Sequence, residues 1–212
     1  MFEGGRLNYD RDELTEDQVG DDPMTLVRGW LDDAVAAEVV EPTAMVVATI
    51  GTDGAPRSRT VLLRRLTEAT FGFFTNFDSD KGLELATGRC ALQLGWLDLQ
   101  RQIRIEGHVA RCADAVSDEY FAGRPRGSQI AAWASPQSRP IADRAELEAL
   151  VAATDERFAE VEPVGRPPFW GGFEVTPTMI EFWQGRPSRL HDRLRFHREG
   201  DQSPWIRERL AP

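Results

Sequence analysis

From residue 44 onward the chain breaks into short runs rich in β-branched and aromatic residues: "AMVVATIG", "RSRTVLL", "FGFFT", "RCALQLGWL" and "RQIRIEGHVA", parted by turn residues such as "TDGA" and "LDLQ". Strands this short and this closely spaced bury their apolar faces against one another, which predicts an antiparallel meander. Two further β-rich runs, "WGGFEV" and "MIEFWQG", follow "GRPP", and "RLRFHRE" with "PWIRERL" reads as a closing hairpin. About seven strands with helices at the edges predict a closed or nearly closed barrel, an α+β fold that is mainly β with peripheral helices.

The helices sit around that pattern. Asp22 is placed to cap a first helix, Pro23 fits its first turn, and Leu26, Trp30, Ala34 and Val39 recur at helical spacing to about residue 40. Others are expected at 79–88, 114–123 and 141–160, the last with Leu147, Leu150, Val151 and Phe158 on one side. Residues 1–20 carry many charges and few large apolar groups and read as a flexible arm; residues 21–212 read as one domain.

The formal net charge is -10. A surface of that sign repels nucleic-acid phosphates and anionic lipid, so any anion bound here must meet a local cationic cluster. The longest largely apolar run, residues 44–50, falls far short of the roughly 20 residues of a membrane helix, and the first residues lack an apolar signal core. A soluble, cytoplasmic protein without nucleic-acid or membrane partners is expected. Cys90 and Cys112 form no CxxC pair and read as reduced thiols, with no metal site. No GxGxxG opening a helix, GxxxxGK[ST], HExxH or GxSxG is present.

Arginine-rich stretches remain. In "RLHDR", an extended strand would put Arg189, His191 and Arg193 on one face, an anion site if it is not merely a solvated charged face. In "RSRTVLLRR", strand alternation sends Arg59 and Arg64 to different sides. In "EYFAGRPRGSQ", Tyr120, Arg124 and Ser128 are spaced by four, but Pro125 disfavours helix at Arg124, which places Arg124 and Ser128 on a loop. Lys81, in "DSDKG", is the only lysine among 25 cationic side chains. Several anion-binding groups along one small barrel fit a protein that holds two phosphorylated small molecules in contact.

The ordered series "RLNY", "EPTAMVVAT", "FFTN", "LQRQIRIEG", "RPRGSQIAAWASPQS", "FWGGF", "IEFWQG", "RLHDR" and terminal "RLAP" resembles the pyridoxine (pyridoxamine) 5'-phosphate oxidases over nearly the whole chain. The resemblance implies an FMN-binding split barrel working as a homodimer, with FMN between the subunits. On it, Arg59 and Lys81 match residues that hold the FMN phosphate, and the backbone through Val61 and Leu62 runs along the flavin toward Arg64. Phe74 and Thr75 match a pair beside it, Gln102, Gln137 and Ser138 match polar cofactor ligands, and Trp183 and Arg193 match ligands near the ring. Arg64, Tyr120, Arg124 and Ser128 match residues gripping the substrate phosphate, and Arg189 and His191 match those at the pyridine ring and its reacting substituent. Arg6 and Tyr9 match an arm that closes over the site.

The implied reaction oxidises pyridoxine 5'-phosphate or pyridoxamine 5'-phosphate to pyridoxal 5'-phosphate, with O2 as acceptor and H2O2 as product. Arg189 and His191 are the catalytic candidates, and Glu41 is a further candidate acid. The chain departs from the family at three places: Arg64 stands for lysine, Phe74 for tyrosine, and Asp80 for a cation that often precedes Lys81. A split-barrel flavin or deazaflavin reductase and a non-catalytic flavin or pyridoxal phosphate carrier stay open as other readings.

Overall fold

The computed structural model describes residues 8–212. The first helix, α1 (Pro23–Ala36), is capped by the Asp22 carboxylate, which accepts from Met24 N at 3.0 Å. It stops short of residue 40 because Glu38 turns left-handed at φ 53°, and Val39 N then bonds back to Ala34 O at 3.0 Å. Four shorter or outlying helices follow: α2 (Asp80–Glu84), α3 (Asp114–Ala122), α4 (Arg126–Ala134) and α5 (Arg144–Arg157).

Nine strands form one antiparallel sheet among the described residues: β1 (Ala44–Ile50), β2 (Pro56–Leu62), β3 (Arg65–Leu66), β4 (Phe71–Asn76), β5 (Arg89–Trp96), β6 (Arg101–Arg111), β7 (Trp170–Gln184), β8 (Asp192–His197) and β9 (Ile206–Arg209). The order is β2-β1-β5-β6-β7-β4-β3. Its two ends are consecutive in the chain, and Leu63 and Arg64 bridge them. Leu63 N bonds to Thr43 O beside β1, and Arg64 N bonds to Gly72 O on β4, both at 2.9 Å, which closes the barrel.

"WGGFEV" and "MIEFWQG" are one 15-residue strand rather than two. Pro177 is absorbed by a bulge, where the β6 register shifts between Glu106 and Gly107. Gly107 lies so close to the Thr176 carbonyl that a Cβ has no room there. Beyond the bulge β7 changes partner on one side: residues 170–175 pair with β4, and residues 179–184 pair with β8. The sheet therefore splits, one branch closing the barrel and the other carrying the β8–β9 hairpin.

Met45, Val47, Phe73, Leu94, Ile105 and Phe182 are fully buried in the barrel core. Across its mouth α1 lays Trp30 edge-on to Phe182, with ring centroids 5.2 Å apart. A second, smaller cluster of Phe121, Ile130, Phe158, Val164 and Trp170 seats α3 and α4 against the start of β7. No helix among the described residues is long and apolar enough to cross a membrane.

The described part of the N-terminal arm lies docked on the β8–β9 hairpin. Leu14 and Val19 are buried, Arg209 pairs with both Glu16 oxygens at 2.6 and 2.8 Å, and Asp192 accepts from Leu14 N at 3.1 Å.

Candidate functional site

The candidate residues fall into three groups. The first gathers around α2. Ser79 caps this helix, fully buried, and Gly82 packs on the Phe77 carbonyl with no space for a side chain, so the turn is pinned to the end of β4. Lys81 then points its ammonium at three neutral oxygens: Gln137 Oε1 at 2.8 Å, Thr75 Oγ1 at 3.2 Å and Ser79 Oγ at 3.3 Å. Burial, and then the neighbouring Arg59 guanidinium, lower its pKa.

Arg59 reaches toward the same place from β2. Its Nη1 donates to Thr49 Oγ1 and its Nη2 to Glu84 Oε2, the latter at 2.8 Å. Glu84, only 4% exposed, takes Arg57 Nη1 on its other oxygen at 2.6 Å. Asp80 is turned to the surface and pairs with Arg139 at 3.3 Å, and Arg139 in turn donates to Asp78 O. The carboxylate that departs from the family pattern thus faces Arg139. Ser138 follows Gln137, exposed and left-handed at φ 68°. Val61 and Leu62 end β2, paired on one side only, to Met45 and Ala44 of β1.

The second group lines a cleft of ≈ 520 Å³ between β3, β4 and α3. Arg64, Phe74, Tyr120 and Arg124 all border it. Phe74 and Tyr120 stack at 3.8 Å with planes 5° apart, and Trp170 lies nearly parallel to both, 5.7 Å from Phe74 and 6.2 Å from Tyr120. Arg124 lies over Trp170 at 4.6 Å; its Nη1 is buried with no hydrogen-bond partner among the described residues. A guanidinium with a partnerless buried donor, in a cleft that a second arginine also lines, has the chemistry to take an oxyanion.

Ser128 does not share a loop with Arg124 as the sequence suggested. Pro125 disfavours helix only before itself and serves as the N-cap of α4, so Ser128 lies in that helix's first turn and borders no part of this cleft.

The third group is at the split in the sheet. Tyr9, Trp183 and His191 contact one another, with centroids 6.0 Å (Tyr9–Trp183), 5.7 Å (Tyr9–His191) and 4.6 Å (Trp183–His191) apart. Gln102 on β6 and Arg193 on β8 flank Trp183 in register, and Tyr9, Gln102 and Trp183 line a cleft of ≈ 380 Å³. Arg193 is held by buried Glu181 at 2.8 Å, which also accepts from Arg104 at 3.0 Å.

His191 Nδ1 accepts the Arg186 backbone N–H at 3.1 Å, so the proton of the neutral ring is on Nε2. Burial, then the charge of Arg189, lower its pKa. Arg189 departs from the strand reading: Ser188 and Arg189 are left-handed at φ 58° and 63° in a single turn, and β8 begins only at Asp192. Alternation along a strand therefore does not relate Arg189 to His191. Glu41 is exposed in the turn before β1, also left-handed, at φ 49°. Arg6 lies outside the described residues.

Glu84 and Thr49 escaped the sequence reading. A carboxylate three residues after a lysine on a short helix reads as that lysine's own partner. Here the two side chains serve different neighbours.

The family model described as pyridoxamine 5'-phosphate oxidase matches residues 31–157, and the one described as the pyridoxine 5'-phosphate oxidase C-terminal dimerisation region matches residues 170–212. The chain belongs to this family. A pyridoxine/pyridoxamine 5'-phosphate oxidase of Ectopseudomonas mendocina is 54% identical over 98% of this chain and 96% of its own length. One of Burkholderia lata is 49% identical over 98% and 97%. Among solved structures, PhzG from Burkholderia lata, in complex with tetrahydrophenazine-1-carboxylic acid, matches with a TM-score of 0.86 and 33% identity over 95% of this chain and 98% of its own. An FMN-binding protein of Nostoc punctiforme, related to pyridoxamine 5'-phosphate oxidase, shares the fold at a TM-score of 0.69 and 17% identity, over 87% of this chain and 97% of its own. Oxidases of this family, with the split barrel built here, are the frame for the chemistry.

Proposed function

We propose that the protein is an FMN-dependent oxidase of vitamin B6 phosphates. It converts pyridoxine 5'-phosphate and pyridoxamine 5'-phosphate to pyridoxal 5'-phosphate in the cytoplasm, with O2 as electron acceptor and H2O2 as product. The observation that carries this reading is the pair of separate oxyanion positions on one barrel. Lys81 and Arg59 present cationic charge that neutral oxygens and one shared carboxylate leave unbalanced; Arg64 and Arg124 border a second, aromatic-walled cleft. A donor set of this kind fits the phosphate of FMN at the first position and that of the substrate at the second.

When bound, FMN would supply the two-electron redox chemistry between C4' of the substrate and O2. The chain supplies the rest. Lys81, Arg59, Thr75, Gln137 and Ser138 would hold the cofactor phosphate, and the edge of β2 through Val61 and Leu62, with Phe74, would hold its ring system. Arg64, Arg124 and Tyr120 hold the substrate phosphate, with Arg124 offering its buried Nη1. His191 moves a proton through Nε2 while Arg189 holds the reacting substituent. Trp183, Arg193 and Gln102 would hold the flavin ring, and Tyr9 would cover the substrate.

Trp183, Arg189, His191 and Arg193 fall inside the stretch matched by the dimerisation model, residues 170–212. A homodimer in which one subunit's β7–β8 branch meets the other's α2 group joins the three groups into one site. The 49% identity to the Burkholderia lata oxidase, against 33% to PhzG of the same species, favours a B6 phosphate over a phenazine. Incubating the FMN-loaded protein in air with pyridoxine 5'-phosphate tests the reading: pyridoxal 5'-phosphate and peroxide are expected together, and absence of both overturns it.

A further inference from the structure

We infer that Glu84 is a positioning residue for the FMN phosphate: its buried carboxylate ties Arg59 on β2 to the same helical turn that carries Lys81, fixing the two cations at one spacing. This rests on the reading of the α2 group as the FMN phosphate site. Lys81 and Arg59 come from different elements, α2 and the terminal strand of the sheet, and like charges in a half-buried place repel. Something must hold them together before an anion arrives.

Glu84 meets that need. It is 4% exposed and three residues from Lys81 on α2, and its two oxygens bond to side chains of β1 and β2, neither of them to Lys81. Oε2 accepts from Arg59 Nη2 at 2.8 Å and from Thr49 Oγ1 at 2.5 Å, while Oε1 accepts from Arg57 Nη1 at 2.6 Å. Arg59 is thereby held on its inner side by Glu84 and Thr49, with Nε–H still unengaged among the described residues. Burial acts upward on the Glu84 carboxyl, but the bonds from Thr49, Arg57 and Arg59 outweigh it and bring the pKa to about 2, so the clamp stays ionised at neutral pH.

A positioning role and a purely electrostatic one predict opposite signs. Removing a carboxylate leaves the site more positive, and by charge alone a phosphate would bind more tightly; if Glu84 sets geometry, it binds more weakly. The experiment measures the Kd of FMN and of riboflavin, which lacks the phosphate, by quenching of flavin fluorescence in wild type, Glu84→Gln and Thr49→Val. Expected is a Kd for FMN raised about tenfold or more in Glu84→Gln, and less in Thr49→Val, with riboflavin unchanged in both. Unchanged or tighter FMN binding in Glu84→Gln overturns the role, and so does a parallel loss of FMN and riboflavin, which marks a folding defect alone. A wild type that binds riboflavin as tightly as FMN instead overturns the phosphate-site reading itself.

Discussion

The Lys81 ammonium and the Gln137 carboxamide oxygen are joined at 2.8 Å across 56 residues of chain. That bond ties the single turn of α2 to the segment after α4, so the only lysine of the protein is engaged by Gln137, Thr75 and Ser79 rather than standing as a free surface charge. Replacing it by methionine removes one charge-assisted contact to a phosphate, about 1.5–3 kcal/mol, and should raise the Kd of FMN by about one to two orders of magnitude. Lys81→Arg keeps the charge, but a planar fork cannot take the three converging oxygens, so an intermediate Kd is expected in the same fluorescence titration.

Lys81 also sets an alkaline limit. Its pKa in the free protein lies below the ordinary 10.5, because burial and Arg59 disfavour the charge; a bound phosphate favours the charge and raises it again. FMN affinity is therefore full below the free-protein pKa and falls as pH rises through it toward the higher pKa of the complex. Titrations across alkaline pH should show the decline beginning below 10.5 in wild type, and no such early decline in Lys81→Arg.

Arg124 has a buried Nη1 without a partner among the described residues, so it has a donor to give to substrate. In Arg124→Met the KM for pyridoxine 5'-phosphate should rise by about ten- to a hundredfold, the worth of one charged hydrogen bond, with kcat changed much less. Steady-state kinetics separate the two constants.

The docked arm should respond to Arg209. In Arg209→Met the pairs to Glu16 and Asp192 are lost, and limited proteolysis should cut within residues 8–20 faster than in wild type. The pH dependence has a definite sign. The hydrogen bond from Arg209 is the main cause that lowers the Glu16 pKa from 4.5 to about 2, so the latch is fully present above pH 4.5 and is lost as pH falls toward 2. Protease sensitivity of the arm should rise across that window in wild type and be high throughout in the variant.

Most strands were legible because their runs alternate and end in turn residues, and Lys81 stood out by composition. Where backbone conformation overrides spacing, legibility ended. "RLHDR" reads as a strand, but left-handed φ values at Ser188 and Arg189 make its first residue a turn. Pro125 reads as a break after Arg124, yet it opens α4 and carries Ser128 into a helix. Pro177 reads as the gap between two strands, and only the bulge opposite Gly107 makes β7 continuous. Glu84 was hidden because its partners, Arg57 and Arg59, lie 27 and 25 residues earlier on a different element.

In the proposed reaction the flavin on this barrel is reduced by a B6 phosphate and reoxidised by O2. The most direct measurement mixes the FMN-loaded protein with pyridoxamine 5'-phosphate without oxygen while following the visible flavin band, then admits air. Bleaching on mixing, recovery in air, and equal amounts of pyridoxal 5'-phosphate and H2O2 are predicted. A band that persists with both pyridoxamine and pyridoxine 5'-phosphate, yet bleaches with tetrahydrophenazine-1-carboxylic acid, would contradict it.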